Sequence, residues 1–239
     1  MTDDPDNAPQ PAIRAAAFYG RRKGKPLRKG HAGFVETLLP DLSVDLSAAP
    51  PADLRQLFAT PVDEVWMESG FGGGEHLIAT AEANPHVGFI GAEPFVNGMA
   101  KALAVLNARP DLAARIRLHA ADSVPLLDWL PAASISRFYL LYPDPWPKTR
   151  HWKRRFVGAD NLDRIARVLK PGGDFRFASD WADYVDWTLQ RVPLHPAFRW
   201  TAATSADWHA PWPNWPGTRY EAKALEEHRV PAYLTFVRL

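Results

Sequence analysis

Val62-Asp63-Glu64-Val65-Trp66-Met67-Glu68-Ser69-Gly70-Phe71-Gly72-Gly73-Gly74 is the stretch whose reading decides the fold. Residues 62–68 form a short apolar run that ends in a glycine cluster, and residues 75–83 beyond it are helix-like. Glycines placed directly after a strand let the chain turn sharply into a helix and let a ligand approach the backbone. The same alternation continues downstream. Residues 87–92 read as a strand, and Pro94 is expected to open a helix to about Asn107, because proline suits a first helical position. A strand at 115–119, a short helix at 123–130 and a strand at 135–142 follow, leading into a loop at 143–148. Apolar residues Phe156, Leu162, Ile165, Val168 and Leu169 recur at helical spacing and predict a helix over 155–169, stopped by Lys170-Pro171-Gly172-Gly173. A strand at 174–179, a helix to about Leu189, and two late strands at 198–202 and 233–239, paired antiparallel, complete the order. Residues 203–217, with Trp208, Trp212 and Trp215 among prolines, read as an irregular loop, and 38–60 as mixed with one short helix at 51–59. Alternating strands and helices predict an open, doubly wound, mostly parallel α/β sheet with an antiparallel carboxyl-terminal edge. In such sheets ligands bind outside the carboxyl ends of the strands, near the point where strand order reverses. There is no internal repeat.

The chain has 239 residues, 46% apolar and 23% charged, enough to bury a core without disulfides or structural metal. With no cysteine, disulfides, thiolate zinc sites and thiol catalysis are excluded. Residues 1–11 are acidic and proline-rich, unlike a signal peptide, and no apolar run approaches the ~20 residues that span a bilayer. A soluble cytoplasmic protein without membrane contact is expected. The net charge of +1 hides an uneven distribution. Arg14, Arg21, Arg22, Lys23, Lys25, Arg28 and Lys29 form one cluster, and Lys148, Arg150, His151, Lys153, Arg154 and Arg155 another. A single run of this kind can be a solvated face, but two runs, one adjoining a rigid motif, suit a polyanion. Residues 1–30 are therefore expected to be a flexible basic arm with a disordered tail at 1–12, and 31–239 a single domain. The histidines, His76 and His151 among them, show no metal-ligand spacing and are expected at the surface or facing RNA.

Acids stand at successive strand tips. Glu68 precedes the glycines Gly70 and Gly72; Glu93 ends the second strand, ~20 residues on, where a carboxylate can accept from both ribose hydroxyls of an adenosine ligand. Asp122, after the third strand, can accept from an adenine amino group. The glycine spacing is not the G-x-G-x-x-G of a dinucleotide fold, and Glu68 would repel a pyrophosphate. It would suit the ammonium group of S-adenosylmethionine, so charge favours the sulfonium cofactor over a nicotinamide dinucleotide.

The loop Tyr142-Pro143-Asp144-Pro145-Trp146-Pro147-Lys148 holds three prolines in five residues, which stiffen the backbone around Asp144 and Trp146 at the end of the fourth strand. The cations Arg150 to Arg155 follow at once. At this point the chain resembles the tRNA (guanine-N7)-methyltransferases. The resemblance rests on Arg22-Lys23-Gly24-Lys25-Pro26-Leu27-Arg28, Gly70-Phe71-Gly72-Gly73-Gly74, the Pro143–Arg155 block, Ser179-Asp180 and Thr218-Arg219-Tyr220-Glu221, in that order. The Pro-Asp-Pro-Trp block with its basic tail is the specific element; the glycine turn is not.

The resemblance implies a Rossmann-like class I methyltransferase domain over 31–239, S-adenosylmethionine as cofactor, tRNA as partner, and methylation at N7 of a variable-loop guanosine, position 46. It assigns Glu68, Glu93, Asp122 and Asp144 to the cofactor, with Asp144 also catalytic. Lys148, Asp180, Thr218, Arg219, Tyr220 and Glu221 go to the substrate, and Arg150, His151, Lys153, Arg154 and Arg155 to the tRNA. Ser69 and Ala92 depart from the family's usual residues beside the first two acids, and the stretch after Glu221 is unusual. Two other readings compete: methylation of another nucleic-acid base nitrogen, whose Asp-Pro-Pro-aromatic loop lacks the pattern here, and a non-catalytic RNA-binding module with a relic pocket.

Overall fold

The computed structural model describes residues 20, 22–27 and 29–239. The tail expected at 1–12 and the arm residues Arg14, Arg21 and Arg28 lie outside the described residues, as does the side chain of Lys29. The chain enters through helices α1 (Lys29–Thr37) and α2 (Leu39–Leu42) and a 3-10 turn at Leu54–Leu57. It then alternates through β1 (Glu64–Ser69), α3 (Glu75–Ala83), β2 (Val87–Ala92), α4 (Val96–Asn107), α5 (Pro110–Ala113), β3 (Ile116–His119), α6 (Ser123–Trp129) and β4 (Ile135–Leu141). A 3-10 helix at Thr149–Arg154 leads into α7 (Ala159–Val168), β5 (Leu169–Ser179), α8 (Ala182–Leu189), β6 (Phe198–Trp200), α9 (Ala206–His209), α10 (Arg219–Glu226) and β7 (Ala232–Arg238).

The seven strands form one sheet in the order β3-β2-β1-β4-β5-β7-β6. β1 runs parallel to β2 and β4, β2 to β3, and β4 to β5, whereas β7 is antiparallel to both of its neighbours. The expected doubly wound sheet with an antiparallel edge is what the chain forms. Its order reverses between β1 and β4, so the crevice at their carboxyl ends is the position where such folds bind ligands. β2 is buried at every residue, as a strand covered on both faces must be. Side chains alternate across β1: Val65 and Met67 join the core beneath α6 and α7, while Trp66 packs on the other face with Leu77 of α3 and Leu103 of α4.

Several expected boundaries move, each for a local reason. Pro94 does not open α4, because the Glu93 carboxylate accepts the Phe95 N–H at 2.8 Å and holds Phe95 extended as the N-cap. The helix expected from 155 begins at Ala159, after Gly158 as N-cap. Val157 N–H donates to the Tyr184 hydroxyl at 3.2 Å instead of to a helix turn, and the preceding cations form the 3-10 helix. β5 runs back through Pro171 and Gly172 to Leu169, since Ile135 pairs with Leu169 across an irregular register. α1 begins at Lys29, so the arm boundary expected at 30 falls inside its first turn. The loop expected over 203–217 contains the single-turn α9, and the helix α10 after it was not anticipated.

Candidate active site

A cavity of about 750 Å³ opens at the carboxyl ends of β1, β2, β3 and β4. Its walls are built by the turns that follow those strands. After β1, Gly70, Gly72 and Gly74 take φ of 74°, 59° and 83°, a left-handed conformation open to glycine at little steric cost. The turn lies tight against α4: a Cβ on Gly98 would sit 2.1 Å from the Gly72 carbonyl oxygen. Glycine at 98 is therefore what lets the helix and the turn meet.

Glu93, after β2, is 7% exposed and lines the cavity. Gly72 N–H donates to its Oε2 at 2.6 Å and Phe95 N–H to its Oε1 at 2.8 Å. Burial pushes its carboxyl above the ordinary glutamate range, although both amides favour the anion. Asp122, after β3, caps α6 by accepting the Val124 N–H at 3.1 Å and also lines the cavity. Asp144 enters from the loop after β4; it is exposed, but partial desolvation at the cavity wall raises its carboxyl as well. Ser69 and Ala92, the two departures, form part of the floor; the buried Ser69 hydroxyl donates to that of Ser123 at 2.7 Å.

Glu68 does not line the cavity. Strand alternation puts it on Trp66's face of the sheet, where its Oε2 lies 2.7 Å from His76 Nδ1, and Thr80 hydroxyl bonds the other ring nitrogen at 3.1 Å. His76 is buried against Tyr139 and Trp215, which corrects its expected place at the surface.

The basic block divides in two. Lys148, Arg150 and Lys153 are exposed, and Lys153 and Arg154 reach the cavity rim. Arg150 donates to His151 at 3.3 Å, and Arg154 lies 5.0 Å over the Trp146 ring. Arg155, expected at the tRNA, is 5% exposed. It donates to the Pro145 carbonyl at 2.8 Å and the Asp183 carbonyl at 3.2 Å, among the rings of Trp152, Tyr184 and Trp187. Its guanidinium thus ties the proline loop to α8. Trp146 also lines the cavity, with φ 43°, a strained value that three nearby prolines hold in place.

The Thr218-Arg219-Tyr220-Glu221 motif also divides. Thr218 and Glu221 form a capping box that starts α10: Glu221 N–H donates to the Thr218 hydroxyl at 3.0 Å and Thr218 N–H to Glu221 Oε2 at 3.2 Å. Arg219 and Tyr220 between them point to the Gly72 backbone and line the cavity. The S/T-x-x-E spacing marks a helix start, so the sequence itself carries this division between cap and cavity residues. Asp180, after β5, lies outside the cavity lining and accepts from Arg229 Nε at 2.5 Å. Trp212 and Trp215 pack on Tyr233, their indole N–H groups donating to Thr235 and Glu221, and Trp208 stacks on His209. Among the described residues no three potential metal ligands cluster, and no helix is long and apolar enough to cross a membrane.

A doubly wound sheet with a glycine turn after its first strand, acids at the next strand tips and a cavity between them define the class I methyltransferase fold. Solved structures agree at the level of fold: a 16S rRNA methyltransferase KamB superposes with a TM-score of 0.55 at 15% identity, covering 80% of this chain and 96% of that one. A family model described as a putative methyltransferase matches residues 63–232. The chain belongs to the tRNA (guanine-N7)-methyltransferase family, as the resemblance implied. A relative so named from Mesorhizobium japonicum is 58% identical over 96% of this chain and 97% of its own length. One from Brucella abortus is 56% identical over 95% and 97% respectively.

Proposed function

We propose that the chain transfers the methyl group of S-adenosylmethionine to N7 of a guanosine in tRNA, at position 46 of the variable loop. The observation that carries this reading is the joint placement of Glu93, Asp122 and Asp144 with the glycine turn around one cavity, beside exposed cations. The names of relatives 56–58% identical along nearly their whole length support it.

The residues present fit the cofactor. Glu93 is buried at the tip of β2 with two amides fixing its carboxylate, and its remaining lone pairs would accept from ribose hydroxyls. Asp122 would take the adenine amino group, and the bare backbone of Gly70 and Gly72 leaves room for the amino-acid portion. Glu68, engaged with His76, would act on that portion only through the turn it supports. When bound, S-adenosylmethionine would supply a methyl group on a cationic sulfur.

Guanine N7 has a free lone pair, so no proton must leave before it attacks and no strong base is required. What the protein supplies is alignment and electrostatics. The proline loop, tied back by Arg155, fixes Asp144 at the cavity, where an anion would stabilise the positive charge that develops on the base. Lys148, Arg150 and Lys153, together with the arm, would hold phosphates. The described arm residues run along the start of α4: Val96 N–H donates to the Arg22 carbonyl at 3.0 Å, and Gly24 N–H to Asn97 Oδ1 at 2.8 Å. This brings Gly20 to the cavity rim and supports treating residues 1–30 as an RNA-binding arm on a single domain.

Incubating tRNA with the chain and methyl-labelled S-adenosylmethionine, then digesting and separating nucleosides, tests the reading. The label is expected in 7-methylguanosine from the variable loop. Label in N2-methylguanosine or methyladenosine would favour the amino-group reading, and none at all the non-catalytic one.

A further inference from the structure

A second cavity, of about 230 Å³, lies between α3 and the loop at 212–216, on the face of the sheet that carries Trp66. It shares no lining residue with the first. Its walls are aromatic: Trp66 from β1, Tyr139 from β4, and Trp212 and Trp215 from the loop. The lip of that loop is fixed by its own chemistry. The Trp215 N–H donates to the Trp212 carbonyl at 3.1 Å, closing a turn with Pro213 and Asn214 at its centre. Proline presets the first central position, and asparagine tolerates the left-handed second, here φ 60°.

Two guanidinium groups stand among these rings. Strand register sets Arg137 opposite Asp174 and Tyr139 opposite Arg176, two residues on and so on one face. Arg137 lies 4.0 Å over the Trp66 ring and Arg176 5.3 Å over that of Trp212, and both arginines line the cavity. Their Nε–H groups converge on one carboxylate: Arg137 donates to Asp174 Oδ1 at 2.6 Å and Arg176 to Oδ2 at 3.3 Å. Two cations against one anion leave this half-buried group with one positive charge in excess. The terminal nitrogens are barely used. Arg137 Nη1 reaches only the Tyr139 hydroxyl, at 3.5 Å. Arg137 Nη2 and both terminal nitrogens of Arg176 donate to no described residue, and none of them is sealed from solvent.

We propose that this cavity is a second binding site, for a small phosphate monoester. Asp174 and the two indoles hold both forks in place, so an arriving anion meets donors that are already ordered. A monoester has three terminal oxygens, enough to serve both forks, and its charge offsets the excess. A carboxylate has two, and would repeat what Asp174 supplies. An RNA backbone phosphate is a diester with only two free oxygens. The aromatic walls would face the body of the ester, and the volume, below the ~300–1,000 Å³ of sites for drug-sized ligands, limits that body to about one ring.

The test titrates the full chain calorimetrically with uridine 5′-monophosphate and with uridine. Excess S-adenosylhomocysteine keeps the first cavity filled, and about 0.15 M salt weakens the hold of exposed cations on phosphate. The monophosphate is expected to bind one site with a Kd below about 1 mM, and uridine not to bind. R176Q removes one fork, and A83E sets a carboxylate at an exposed position of α3 on the cavity wall. Each should weaken the monophosphate about tenfold or more, the scale of a hydrogen bond to a charged group. A83E should keep the wild-type Tm, so it decides alone if R176Q does not fold. K148A, in the exposed block outside this cavity, should leave the affinity unchanged. No binding of the monophosphate, equal binding of uridine, wild-type affinity in A83E, or displacement by tRNA would each overturn the proposal. None of these outcomes bears on the methyltransferase reading, which is read from methyl transfer to tRNA.

Discussion

Asp144 carries the heaviest electrostatic assignment, and its environment makes that assignment testable by pH. It is an exposed residue on a cavity wall, and partial desolvation there raises its carboxyl above the ordinary 3.8. A carboxylate stabilises a developing cation only when ionised, so activity should fall as pH drops through this raised value. The acidic limb of kcat/KM is therefore expected above pH 3.8, and D144N, which cannot ionise, should lose most of the rate and the limb attributable to this group. A wild-type profile without an acidic limb, or a D144N chain of undiminished rate, would contradict the role. At this scale the sequence was informative wherever a single acid followed an apolar run: Glu93, Asp122 and Asp144 do meet at one cavity. Orientation and depth are what it leaves open. Glu68 follows the same rule, but one step of strand alternation turns it to His76 on the opposite face. Arg155 reads as one more cation in a basic run, yet it is buried among three aromatic rings and two carbonyls while also lining the cavity. Charge in a sequence says nothing of depth.

Elements meet through contacts that propensity does not encode. Glycine inside α4 would ordinarily be improved by alanine, worth about 0.5–1 kcal/mol in a helix interior. Here a methyl group at 98 would be driven to 2.1 Å from the Gly72 carbonyl, a backbone atom fixed by the turn. Overpacking of this kind costs about 1–3 kcal/mol, so the sign reverses. G98A is expected to lower stability in urea unfolding and to weaken cofactor binding in titration calorimetry, since the displaced turn is the cavity wall. A stabilised variant with unchanged affinity would contradict the close approach. The same lesson applies to boundaries. Periodicity located α3, β2, α6, α8 and the edge pair within a residue or two. α4 starts two residues late, where Glu93 takes the Phe95 amide, and periodicity failed only at the start of α7, where the Tyr184 hydroxyl takes the Val157 amide that a longer helix would use. α10 was readable from its Thr-x-x-Glu cap, although its residues were assigned as a unit to the substrate.

At the scale of the molecule, a parallel sheet delivers the ends of four consecutive strands to one edge, and the chain uses each following turn for a different part of the cavity. The glycine turn gives a bare backbone, the β2 tip a buried carboxylate, the β3 tip a capping aspartate, and the β4 tip a braced acidic loop with exposed cations just beyond. β7 and the Trp212–Trp215 cluster close the far side and support α10, whose Arg219 and Tyr220 return to the glycine turn. The sheet class and its antiparallel edge were legible because strand and helix periods alternate cleanly. The position of β7 between β5 and β6 was not, because strand order is set by pairing between distant segments. The central claim is that this cavity is where the sulfonium donor binds. A crystal of the chain grown with S-adenosylhomocysteine tests it most directly. The account predicts the adenosine between the glycine turn and Asp122, with ribose hydroxyls within hydrogen-bond distance of Glu93. Adenosine bound elsewhere, or ribose with no contact to Glu93, would contradict it.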